Sequence, residues 1–134
     1  FGAFERYGND VAQFICQNTE RDLYTTRDSN IGNKALTYPI GLITYDELVF
    51  AGMTAKDNNK ISYVYSSEQY WTMSPTYYTS DWAKSFGWVQ HSDGNLSHGW
   101  IVNAPVGARP IISLKSDVKI SGGIGTINEP YVIE

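Results

Sequence analysis

A chain of 134 residues, 42% hydrophobic, is long enough to bury a core of its own as one domain spanning residues 1–134. Its 10 Lys and Arg against 14 Asp and Glu leave a net charge of −4 with no basic cluster, which excludes a nucleic-acid backbone as the partner. No apolar run approaches the roughly 20 residues of a membrane span, so direct insertion by this stretch is not expected.

The chain begins at Phe1 without Met or a recognisable leader, and reads as a processed product or an excised domain. Residues 11–16 suit a short strand or a helical turn, and periodicity does not separate the two. Cys16 is the sole cysteine, so no disulfide forms within the chain. It reads first as a small buried hydrophobe, next as half of a bridge to something outside this sequence, and last as a catalytic thiol. Residues 23–26 read as a short strand, and 28–34 (DSNIGNK) as a loop.

The clearest helix covers residues 45–51. Thr44 is a good N-cap and Glu47 completes a capping box. Asp46 and Glu47 sit where the helix dipole favours acids, so this pair is helix-start chemistry and not a general acid and base. Gly52 supplies the stop, and Tyr45, Leu48 and Ala51 share one face. A polar loop follows at 54–60. Residues 61–65 (ISYVY) and 70–73 read as strands, with a long aromatic-polar loop after Pro75. Residues 86–90 and 95–102 read as strands flanking a turn at Asp93 and Gly94. Residues 108–114 (ARPIISL) are the most strand-like of all. Residues 118–120 and 131–133, separated by the glycine-rich turn at 122–125, complete a sheet. Short strands, one capped helix and long loops give an α+β domain around an antiparallel sheet.

All four Trp and both His fall within residues 70–100, interleaved with Tyr, Ser, Thr, Asn and Gly. Rigid aromatics supply contact area at low entropic cost, and small polar residues supply adaptable hydrogen bonds, a composition typical of paratopes. The segment therefore reads as a recognition surface. Trp71 is assigned to the core, because it lies in a strand motif, and Phe86 is expected to pack inward as well.

Catalytic chemistry finds no foothold. His91 and His98 flank a turn with no Cys or carboxylate at zinc-type spacing, and 92–95 (SDGN) offers too few oxygen ligands for calcium. No metal or cofactor is expected. No Gly-x-Ser-x-Gly elbow is present, 122–125 (GGIG) lacks the Lys of a phosphate loop, and the carboxylates are scattered. Arg109, at the head of an apolar strand, is costly to bury unpaired. Its planar fork is expected to pin a carboxylate or loop carbonyls.

Three segments together carry a resemblance: 36–52 (LTYPIGLITYDELVFAG), 70–75 (YWTMSP) and 107–133 (GARPIISLKSDVKISGGIGTINEPYVI). They resemble domains of bacterial surface and pilin-like proteins with the C-type-lectin-like fold, in the version shared with formylglycine-generating-enzyme-like domains. The resemblance covers most of residues 23–134. It implies a fold of short antiparallel strands with one or two helices and long loops. Some members of that family are variable proteins of diversity-generating retroelements, in which template adenines are randomised on a fixed scaffold. Residues 76–104 lie between the two fixed-looking motifs and carry the residue types such a process yields.

The resemblance thus implies a ligand-binding adhesin or receptor domain displayed on a pilus, cell surface or phage. Its ligand-binding residues would be Thr76, Tyr77, Tyr78, Thr79, Asp81, Trp82, Ser85, Trp88, His91, His98 and Trp100. The partner would be a protein or glycan on a target surface, and the domain would be part of a larger assembly. The alternative is a pilus or surface-layer subunit that uses the same face for self-association. The calcium-dependent lectin motifs Glu-Pro-Asn, Gln-Pro-Asp and Trp-Asn-Asp are absent, and so are the paired cysteines of formylglycine-generating enzymes. A non-enzymatic role is therefore expected, with an enzyme of that type the weakest reading.

Overall fold

The computed structural model describes residues 11–15, 37–38, 40–55, 58–79, 84–112, 114–126 and 128–134, with backbone alone for 77–79, 84–90 and 99. The expected strand at 23–26, the loop at 28–34 and Cys16 lie outside the described residues. Residues 11–15 form neither strand nor helix.

Mixed strands and one short helix make up the described fold, an α+β arrangement. Strand β1 (Ile40–Leu42) leads into helix α1 (Tyr45–Phe50), whose boundaries follow from local chemistry. The Thr44 side chain accepts from the Glu47 backbone N–H at 3.1 Å, and the Thr44 N–H donates to the Glu47 carboxylate at 2.7 Å, so the capping box is complete. At the other end the N–H of Met53 reaches the Leu48 carbonyl and that of Gly52 reaches Val49. This is the Schellman closure, and Gly52 supplies its left-handed residue at φ +87. Thr44→Ala removes one cap acceptor and is expected to cost about 1 kcal/mol in denaturant unfolding. An unchanged midpoint would mean that the first turn holds without its cap.

Helix α1 lies against the long strand β2 (Tyr70–Thr79). The Tyr45 N–H donates to Ser74 Oγ, and the Met73 N–H to the Ile43 carbonyl. The core cluster is Ile43, Tyr45, Leu48, Val49, Met53, Val64, Tyr70 and Leu96. Asp46 is buried and accepts from the Gln13 N–H at 2.8 Å, which fits a structural acid.

β2 heads an antiparallel meander with β3 (Lys84–Gln90) and β4 (Leu96–Ile101), and β5 (Gly107–Ala108) joins β2 on the other side in parallel. The sheet order is β4-β3-β2-β5. The chain from Pro75 to Thr79 is strand where a loop was expected. Pro75 fits because the β2–β3 register shifts on both sides of it, and a bulge tolerates a residue without an N–H. The turn at Asp93 and Gly94 is where the sequence placed it, closed by His91 N–H to Asn95 C=O at 2.8 Å.

Residues 61–65 are turns and not a strand. The N–H of Ser62 reaches the Asn59 carbonyl and that of Tyr65 reaches Ser62, while Ile61 stands 99% exposed and Val64 alone turns inward as a core residue. Nor is 108–114 one strand. Gly107–Ala108 pairs with β2, whereas β6 (Pro110–Ile112) pairs antiparallel with β1. The chain changes sheets at Arg109, and Ile112 and Leu114 are exposed. A final ribbon pairs β7 (Ile120–Gly122) with β8 (Val132–Ile133), close to the expected positions.

Candidate recognition surface

The described part of the aromatic-polar segment occupies the far half of β2, β3, the β3–β4 turn and β4. Its base is fixed at several points. Tyr70 is buried at the start of β2, and its hydroxyl donates to the Val64 carbonyl at 2.8 Å. Arg109 Nη1 donates to the same carbonyl, and the guanidinium lies 5.3 Å from the centre of the Tyr70 ring. Arg109 therefore pins a loop carbonyl, one of the two partners expected from sequence, and adds a cation–π contact. Burial pushes the Tyr70 phenol above its ordinary range, and the nearby Arg109 charge works against that shift.

The β3–β4 turn is anchored by Asn59. This buried side chain accepts from the Thr54 N–H at 2.8 Å and donates to the carbonyls of Thr54 and Gly94, each at 2.7 Å. Tyr65 adds a hydroxyl bond to the Ser92 carbonyl at 2.7 Å. Gly94 is required here, because a Cβ would lie 2.8 Å from Asn58 Oδ1 and its φ is +95. Asp93 accepts from the backbone N–H and the side-chain amide of Asn95, which hold its carboxyl below the usual range.

Burial alternates along β2, with Tyr70 and Thr72 buried and Trp71 and Met73 half-buried. The core member of the Tyr70–Trp71 pair is thus Tyr70, correcting the assignment of Trp71. Thr76 is only 2% exposed, so it sits inside and not on a ligand-facing surface. Its strand position continues the buried row, which composition does not reveal.

His91, His98 and Trp100 are half-buried. His91 meets Trp100 edge-on, with ring centres 5.1 Å apart, and Gln69 Nε2 lies 3.3 Å from His91 Nδ1. Trp100 stands opposite Gly87 in the register. The side chains of Tyr77, Tyr78, Thr79, Ser85 and Trp88, and that of Phe86, lie outside the described residues, as do Asp81 and Trp82 entirely. The structure thus brings together Gln69, His91 and Trp100. Gln69 was missed, since only the pairing of Tyr70 with Gln90 places it beside His91.

A second concavity was also missed. A shallow depression of about 500 Å³ is lined by Gly52, Thr54, Asn58, Asn59, Ile61 and Tyr63, among others. It forms where 61–65, expected from sequence to be a strand, turns instead. Among the described residues no group of three or more His, Cys, Asp or Glu is placed to hold a metal, and no helix is long and apolar enough to cross a membrane.

No protein-family model, curated protein or solved structure matches this chain.

Proposed function

We propose that this chain is a ligand-binding domain of the C-type-lectin-like kind, with residues 76–104 as its recognition surface. One observation carries the reading. Among the described residues the core cluster has eight members, of which Leu96 comes from 76–104. Among the residues whose side chains are described, the core is drawn mainly from the segments that flank 76–104. Such a division between scaffold and surface is what a binding module with changeable specificity requires.

In this reading Trp82, Trp88 and Trp100 are the anchors, since buried aromatics dominate binding hot spots. Tyr77, Tyr78, Thr79, Asp81, Ser85, His91 and His98 supply the surrounding contacts. Thr76 supports them from beneath. Affinity comes from aromatic burial and side-chain hydrogen bonds, on an extracellular, cell-surface or phage-borne domain whose partner is a protein or glycan. The variable-protein identity rests on the resemblance of the flanking motifs.

Sequencing the DNA around the gene tests that identity. A near-copy of codons 70–114 differing only at adenines, beside a reverse-transcriptase gene, is the expected result. Finding none would remove the diversified reading and leave an adhesin of fixed specificity or a self-associating subunit. The role of the anchors is tested by Trp100→Ala, which is expected to cost only about 1 kcal/mol, the scale of one aromatic pair. Trp82→Ala is expected to leave the melting temperature nearly unchanged. Losses of 3 kcal/mol or more, the scale of Trp→Ala in a core, would make these residues core and end their role as anchors.

A further inference from the structure

We propose that Asn95 is an acceptor for N-linked glycosylation. Residues 95–97 read Asn-Leu-Ser, the Asn-x-Ser/Thr pattern with a non-proline centre. The pattern is short, so its structural setting decides its weight. Asn95 is exposed, at the end of the β3–β4 turn. β4, which carries Ser97, is an outer strand of its sheet, so among the described strands none pairs with its far edge. Leu96 is buried in the core, while Asn95 before it is exposed and Ser97 after it is half-buried.

Asp93 adds a second feature. Its carboxylate accepts the Asn95 amide N–H at 2.9 Å and the Asn95 backbone N–H at 3.0 Å. The amide is thereby held at the tip by an acid two positions earlier, with only one exposed bond to release. An acceptor, an accessible strand edge and an adjacent carboxylate coincide at one solvent-facing turn.

The co-reactant is an oligosaccharide linked to a lipid through pyrophosphate, brought by a membrane-bound transferase. The Asn95 Nδ2 bonds to the anomeric carbon as the bond from that carbon to the pyrophosphate oxygen breaks. The lipid pyrophosphate leaves with the electron pair, and the amide proton passes to a carboxylate of the transferase. The inference shares with the recognition reading only the placement of the chain outside the cytoplasm. It does not require residues 76–104 to bind anything.

The test co-produces the full chain, exported, with an oligosaccharyltransferase and its lipid-linked oligosaccharide, and reads intact mass and the glycan-bearing peptide. The expected result is one glycan increment on the peptide containing residues 93–97. Asn95→Gln and Ser97→Ala are expected to reduce occupancy to background, and Ser97→Thr to retain it. Far-ultraviolet circular dichroism of each variant verifies that the chain is folded. An unmodified chain beside a modified control protein, or a glycan on a different Asn, would overturn the proposal.

Discussion

Leu48→Ala is expected to lower unfolding stability by about 2–5 kcal/mol, and the melting temperature by roughly 10 °C or more. Leu48 is 0% exposed and belongs to a cluster that joins helix α1, the 61–65 turns, β2 and β4. Truncation there leaves a void that several elements border, so no single element can close it. Met53 closes the helix C-terminus over the same residue through the Schellman bond to the Leu48 carbonyl, so the cavity also loosens that cap. Ile61→Ala is the matched control. Ile61 is almost fully exposed, and its loss is expected to stay within about 0.5 kcal/mol. Denaturant unfolding of both variants decides the matter. Comparable losses at the two sites would contradict the described core.

The second large effect lies at the Val64 carbonyl, which accepts from both Tyr70 and Arg109. Arg109→Met removes a charged hydrogen bond and a cation–π contact, an expected loss of about 2–3 kcal/mol. Tyr70→Phe removes one neutral bond and is expected to cost about 1 kcal/mol. The double variant is expected to depart from the sum by 0.5 kcal/mol or more, because both groups serve one acceptor and contact each other. Additivity would show that the two bonds are independent.

An alkaline titration gives a separate readout. The Tyr70 phenol is raised by burial, so the unfolded chain ionises at lower pH than the folded one. The associated stability is fully present below about pH 10, the ordinary phenol value, and is lost as pH rises through the folded value. Tyr70→Phe is expected to flatten that alkaline decline. Arg109→Met is expected to steepen it, since the opposing positive charge is gone. An unchanged decline in Tyr70→Phe would assign the alkaline loss to other groups.

The candidate surface was legible as composition and only partly as geometry. Crowding of Trp, His and Tyr between residues 70 and 100 is visible on the page, but which of them face outward depends on strand parity. Thr76 went inside for that reason, and Trp71 proved half-buried while Tyr70 took the core position. Gln69 joined His91 and Trp100 only through the pairing of β2 with β3. The buried row of Tyr70 and Thr72 carries on to Thr76 across Pro75, although the pairing register with β3 shifts on both sides of that proline.

What the sequence determined by itself was whatever short-range chemistry controls. Thr44, Glu47 and Gly52 start and stop the helix through bonds spanning at most five residues. Asp93, Gly94 and Asn95 make their turn the same way. Tertiary structure decided the rest. Residues 108–114 look like one strand, yet Ala108 belongs to β5, paired with β2, and Pro110–Ile112 to β6, paired with β1, so the chain changes sheets at Arg109. Residues 61–65 read as a strand, yet they turn, because Asn59 holds the loop to Gly94 and leaves Val64 as the stretch's contribution to the core. These outcomes turn on partners dozens of residues away, and no local pattern encodes where such partners stand.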